Sequence, residues 1–348
     1  MMETSELRRQ LLSGLAIPAL PLALDDSRIW DRTRQRAVLR YYLDAGVGGI
    51  AVGVHSTQFE IREPQHALFQ PLLEFASTEI DQWNDSVRPV IKIAGICGKT
   101  DQASAEARIA ANAGYHAGLL SLAAWKSEPV EELLVHCRSI AETIPLVGFF
   151  LQPAAGGRLL SYEFWRGFAE IPNVVAIKMA PFNRYQTFDV VRAVMDAERE
   201  DIALYTGNDD NIVVDLLTRW EIGGRSRFIV GGLLGQFGVW TKRAVELLEE
   251  IKSVREREVI PSEWLTRNAG WTDANAAVFD AANGFSGVLC GIHEVLRRQG
   301  IFANTHCLNP HEKLSPGQSG ELDRVTAAYP WLVDDDFVSA NLARWLGP

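Results

Sequence analysis

A (β/α)8 TIM barrel with a C-terminal helical extension is the α/β fold class this sequence predicts, and three observations carry it. Short apolar runs recur eight times, and segments of helical period lie between them. The fourth to seventh runs start at residues 118, 146, 174 and 203, a spacing of 28 or 29. Strands alternating with helices make right-handed βαβ units and a parallel sheet. Runs that are apolar throughout belong to strands covered on both faces. Eight units in about 250 residues close into a barrel. A doubly wound open sheet is the competing arrangement, but no G-x-G-x-x-G follows any strand to support its dinucleotide-binding form.

In chain order the expected strands are 15–20, 49–53, 90–94, 118–122, 146–150, 174–178, 203–206 and 228–231. Between them the pattern predicts helices over 101–113 (with Thr100 as N-cap), 128–143, 162–171, 188–198, 211–220 and 241–253. The apolar stretch 11–24 follows Arg8 and Arg9 but is interrupted by Pro18 and Pro21, and no small-x-small cleavage site precedes Asp25. It reads as an entry strand, not as a signal peptide. Beyond residue 253 a charged cluster and Pro261 break the repeat. Helices are expected there at 273–283, 286–299, 317–328 and 335–345, with a connecting loop over 304–318. Residues 1–253 are thus expected to form the catalytic barrel and 254–348 a helical extension packed on it. Leu289, Ile292, Val295 and Leu296 supply a docking stripe, whereas His293, Glu294, Arg297 and Arg298 read as a polar helix face.

Composition narrows the function. Hydrophobic residues at 47% and charged residues at 22% describe a globular chain, neither disordered nor a membrane bundle. A net charge of −10 opposes nucleic acid as a partner. No apolar run reaches the roughly 20 residues that span a bilayer, so no membrane partner is expected. The four cysteines lie apart, without C-x-x-C spacing, which offers no disulfide framework or zinc signature and fits a cytoplasmic protein.

In such a barrel chemistry sits where strands end and βα loops begin. Lys178 closes the run Val174, Val175, Ala176, Ile177 at that end. An apolar setting lowers a lysine pKa and frees the neutral amine that attacks a carbonyl. A lysine snorkelling from the strand end or paired to a carboxylate is the alternative, and Lys92, inside its own apolar strand, illustrates it. His55 follows strand two and titrates near neutrality, which suits acid/base work. Ser56 and Thr57 bring hydroxyls able to hold a carboxylate. Phe150, Tyr205, Asn208, Gly231 and Gly232 fall at the expected ends of strands five, seven and eight and complete the candidate substrate-binding set. Asp209 and Asp210 beside Asn208 read first as a helix N-cap, and no metal or cofactor is expected.

Residues 14–253 resemble the dihydrodipicolinate synthase/N-acetylneuraminate lyase family. Four stretches carry the likeness: AGVGGIAVGVHSTQ at 45–58 in place of a G-T-T-G-E loop, PLVGFFLQP at 145–153, VVAIKM at 174–179 and YTGND at 205–209. The resemblance implies class I, Schiff-base chemistry on pyruvate or a related 2-oxo acid, with Lys178 as the Schiff-base lysine. It also implies a homo-oligomer, dimer or tetramer. Departures are equally specific. His55 and Ser56 stand for two threonines, Thr57 and Gln58 for glycine and glutamate, and Phe150 for the tyrosine of a Y-N-x-P setting. The second relay tyrosine falls near Ala123 or Ala124. The following arginine meets Ala154 and Ala155, with Arg158 a displaced candidate. The extension exceeds the family's usual tail, and GIHEVLRRQ at 291–299 marks a less characterised subgroup. The expected activity is therefore a Schiff-base lyase other than true dihydrodipicolinate synthase, with His55 as acid/base. The alternatives are a Schiff-base dehydratase or hydratase-aldolase on a sugar acid or aromatic oxo acid, and a barrel that binds an oxo acid without turning it over.

Overall fold

The computed structural model describes residues 2–84, 89–153 and 156–347, so Ala154 and Ala155 lie outside the described residues. Its strands are β1 (Ala16–Pro18), β2 (Gly49–Val52), β3 (Ile91–Ile96), β4 (Ala117–Leu120), β5 (Leu146–Leu151), β6 (Val174–Ala180), β7 (Ala203–Thr206), β8 (Arg219–Ile222), β9 (Arg225–Phe228) and β10 (Gly231–Leu234). All but β8 and β9 join one parallel sheet in the order β1-β10-β7-β6-β5-β4-β3-β2. A bridge between Ala19 and Ala51 links its two ends, with the Leu20 N–H donating to Ala51 O at 2.8 Å. The expected barrel is present. Its helices are α1 (Thr4–Leu12), α2 (Arg32–Ala45), α3 (Phe69–Trp83), α4 (Thr100–Asn112), α5 (Val130–Ala141), α6 (Tyr162–Ala169), α7 (Arg184–Asp196), α8 (Ile212–Leu217) and α9 (Thr241–Arg255).

Two barrel elements differ from expectation, and the first extension helix runs over Glu263–Phe279 instead of 273–283. The eighth barrel strand begins at Gly231, not at Phe228, because 219–228 forms the antiparallel hairpin β8–β9. Gly223 and Gly224, at φ 57° and 79°, make its two-residue turn, a backbone that glycine adopts without strain. The mouth end of the eighth strand therefore lies at Leu234 and Gly235. At the N-terminus the stretch read as an entry strand opens inside α1, and only Ala16–Pro18 is strand. Leu7 and Leu11, one turn apart, give α1 an apolar face.

That face belongs to the barrel interior, together with Ile17, Ala51, Ile93, Leu119, Val147 and Leu233. Pleating decides which side each residue serves. On β5, Phe149 points into the barrel and Phe150 points out against Trp165, with ring centroids 5.4 Å apart. On β6, Ala176 and Ala180 are interior residues, which puts Lys178 on the same face. Lys92 is different: its ammonium reaches Asp81 at 2.8 Å and Ser77 at 2.9 Å. It is the paired structural lysine.

The chain beyond the barrel folds into α10 (Glu263–Phe279), α11 (Val288–Arg298), α12 (Gln318–Ala328) and α13 (Asp335–Leu346). α10 packs on α8, α11 and α12, and α13 packs on α2. Buried polar bonds fasten this extension down. The Tyr41 hydroxyl donates to Asp334 at 2.7 Å, and the Leu308 N–H donates to Gln58 Oε1 at 2.6 Å. Leu289, Ile292, Val295 and Leu296 are all buried. The expected polar face is half buried: His293 packs beside Phe302, and Glu294, also buried, pairs with Arg297 and Arg298, which alone are exposed. Among the described residues no helix is long and apolar enough to cross a membrane.

Tyr205 is part of the barrel floor. Its hydroxyl donates to Leu11 O at 2.7 Å and accepts from the Leu15 N–H at 3.2 Å, tying the end of α1 to β7. Tyr205→Phe would leave the Leu15 N–H unpaired and Leu11 O with only the Gly14 N–H. A loss of about 1–3 kcal/mol in urea-unfolding stability is expected, with the far-UV circular dichroism unchanged.

Candidate active site

One cavity opens at the C-terminal ends of the strands, where barrel function belongs. Lys178 of β6, His55 and Ser56 of the loop after β2, and Asp209 of the loop after β7 line it. Phe149, Gln152, Gly207 and Gly235 are among the barrel's other wall residues. Its volume is ≈ 90 Å³, several times the room that one water needs. That suits a small organic molecule.

Local sequence explains how each group arrives. The β6 pleat aims Lys178 inward, and its ammonium lies 4.6 Å from the Phe149 ring centroid, across the ladder from it. Gly207 lets the lysine pass: a Cβ there would sit 2.6 Å from Lys178 Cε. His55 opens a short 3-10 turn, His55–Thr57, that directly follows β2. Asp209 is held by the Gln236 N–H, which donates to Oδ1 at 3.1 Å. Asn208 beside it accepts from the Phe182 N–H and donates to Thr187 and Asp215.

Burial governs the electrostatics. It pulls the Lys178 amine below the usual lysine range, and the Asp209 carboxylate opposes that shift. The Asp209 carboxyl is raised, again by burial first, with Lys178 holding it down. His55 is lowered by burial, then by the Lys178 charge, with Glu60 opposing. Its imidazole is therefore neutral near pH 7 and free to accept a proton. The effect runs one way, since a neutral histidine exerts no comparable charge on the lysine.

The comparisons with known proteins bear on this site. No protein-family profile matches the chain. A 4-hydroxy-tetrahydrodipicolinate synthase of Thiobacillus denitrificans is 29% identical over 198 residues, covering 56% of this chain and 62% of that protein. A dihydrodipicolinate synthase of Thermotoga maritima superposes with a TM-score of 0.73 over 92% of this chain and 99% of its own, at 19% identity. An N-acetylneuraminate lyase of Fusobacterium nucleatum does so with a TM-score of 0.70 at 16% identity, over 91% of this chain and 99% of its own. The chain thus resembles the dihydrodipicolinate synthase/N-acetylneuraminate lyase family over part of its sequence and has the barrel fold of these structures. It matches 41% and 62% of the lengths of two of the curated relatives, less than two thirds of either.

The sequence-predicted residues separate into two groups. Lys178, His55 and Ser56 meet at the cavity. The others do not. Thr57 accepts from the Gly53 N–H and donates to Leu20 O, so its hydroxyl clamps two backbones. Phe150 packs outside the barrel, and the pleat gives its expected place at the mouth to Phe149. Tyr205 serves the floor. Asn208 has all three of its side-chain bonds inside the protein. Gly231 and Gly232 are packing glycines at the start of β10, where a Cβ would meet Leu15 O at 2.5 Å or the Phe237 ring at 2.6 Å. Arg158 donates to Trp125 O and Glu128 O rather than entering the cavity.

Asp209 is the residue that sequence reasoning undervalued. The N-cap position of α8 is Asn211, and Asp209 instead faces the lysine. Adjacency of strands six and seven is the signal that points to it, since their ends must converge. The charge coupling has a direct test. Reductive methylation with formaldehyde should label Lys178 at lower pH than the exposed Lys126 and Lys313, as read by peptide mass spectrometry. Asp209→Asn removes the carboxylate that raises the amine, so half-labelling should move to still lower pH. A shift upward would contradict the pairing.

Proposed function

We propose that this protein is a Schiff-base-forming lyase, making or breaking the C–C bond next to the carbonyl of pyruvate or a related 2-oxo acid. The observation that carries this reading is the setting of Lys178: an inward-facing amine with lowered basicity, lining a cavity and opposed by one carboxylate. A paired structural lysine resembles Lys92 instead.

That setting supports the following steps. The neutral Lys178 amine attacks the ketone carbon, forming a C–N bond as the C=O π bond opens, and a proton passes from the nitrogen to the oxygen to give the carbinolamine. Protonated Asp209 donates to the departing hydroxyl, water leaves, and the iminium remains. For condensation, His55 removes a proton from the adjacent carbon, and the resulting enamine attacks an aldehyde carbonyl. For cleavage, His55 takes the proton of the hydroxyl on the distal carbon, the C–C bond breaks, and the aldehyde departs. Ser56 and neighbouring backbone N–H groups hold the substrate carboxylate. Phenylalanine stands in both neighbouring positions, 149 and 150, so the family's tyrosine relay has no hydroxyl there. Asp209 and His55 take over its proton transfers.

Borohydride reduction in the presence of pyruvate should add one reduced pyruvyl unit to Lys178. Lys178→Ala should abolish that adduct. His55→Ala should keep it yet lower kcat by about 10²–10⁴. An adduct that survives Lys178→Ala would refute the nucleophile, and no adduct on the native protein would favour a barrel that only binds oxo acids.

A further inference from the structure

The cavity has two unlike ends. Its floor carries Lys178, His55, Ser56 and Asp209. Its roof is apolar, and most of that roof comes from the C-terminal extension: Phe279 at the end of α10, Phe285 in the following turn, and Val288 and Ile292 of α11. Phe182, from the loop after β6, meets Phe285 edge to face with ring centroids 6.0 Å apart.

We propose that the substrate is a 2-oxo acid bearing an aryl or branched-alkyl substituent, its oxo-acid head on Lys178 and its apolar tail under this roof. The proposal rests on the Schiff-base reading for the placement of the head and adds the chemistry of the tail.

Three observations support an apolar tail over a charged or polyhydroxylated one. First, the described residues lining the cavity include no arginine, and no basic group besides Lys178 and His55. The nearby guanidinium of Arg158 is bound to loop carbonyls at 2.8 and 3.2 Å. A carboxylate on the tail would lie under the apolar roof without a cation of its own, and burying it that way is costly. Second, hydrogen-bonding groups for a polyol are few: among the described lining residues only the Gln152 amide adds to the head-binding set of Lys178, His55, Ser56 and Asp209. The Asn208 amide is fully engaged, and one Asp209 oxygen already accepts from Gln236. Each hydroxyl buried without a partner disfavours binding. Third, the roof rings are held in place at a conformational cost. Phe182 and Phe285 adopt φ 51° and 69°, a left-handed backbone that bulky residues rarely take. The Asn208 side chain pins the Phe182 N–H, and Asp280 O accepts from the Phe285 N–H at 3.0 Å. Asp215, fully buried, braces Asn208 in turn.

The test compares two ligands that share the oxo-acid head. Calorimetric titration of the native protein should show benzylpyruvate binding at least about ten-fold more tightly than 2-oxoglutarate, whose tail is a carboxylate. Phe285→Asn removes the ring with a residue that tolerates the left-handed backbone. It should cut the affinity ratio by on the order of ten-fold, and Val288→Ser, on the neighbouring helix, should lower it too. Equal binding, a preference for 2-oxoglutarate, or a ratio unmoved by both variants would overturn the proposal. Binding is read without reduction, so the ratio decides the tail even if borohydride finds no adduct. A missing adduct would instead sink the Schiff-base reading.

Discussion

Desolvation of a single amine organises this molecule. Lys178 sits on the inner face of a strand whose neighbours are Ala176 and Ala180, where water cannot fully solvate a charge. Keeping it there requires the opposing carboxylate of Asp209, a strand order that puts β7 beside β6, and a glycine at 207 to leave room. Each requirement is met by a different segment, and none is met by the strand itself. The basicity of the amine is therefore a property of the closed barrel, not of the VVAIKM segment.

The extension changes what this barrel offers a ligand. In an open (β/α)8 mouth the lysine would face solvent, and its amine would regain much of its ordinary basicity. Here α10 and α11 place rings and branched side chains over the cavity, and the bond from Leu308 to Gln58 ties the extension to the loop that carries His55. Extension and His55 loop are joined by that buried bond. The lowered basicity of Lys178 and the apolar character of the space above it then share one cause.

How much of this could be read from the chain follows physical lines. Spacing and apolar runs revealed the barrel, because a buried parallel strand needs continuous hydrophobicity. The same rule hid the eighth strand's register, since Phe228 is equally at home in a hairpin edge. Gly223-Gly224 was the available sign of that hairpin. Continuous runs also conceal the pleat: a strand apolar on both faces does not say whether Phe149 or Phe150 looks inward. Tyr205 and Asn208 misled for another reason. Their polar atoms are satisfied by Leu11, Leu15, Thr187 and Asp215, and these distant partners leave no local pattern. Lys178 was legible because an ammonium at the end of an apolar strand is anomalous by itself. Asp209 was not, because a carboxylate before a helix is ordinary.

The helix that closes the bottom of the barrel bears on traffic. With Leu7 and Leu11 of α1 packed into the interior and Tyr205 bonded across to Leu11, the described residues close the pocket at the rear. A one-ended pocket works as a stack. Whatever seats deepest, against Lys178, must arrive before its companion and depart after it. Under the proposed chemistry the oxo acid is the first to load and the last to unload, and the fragment beneath the roof turns over between those events.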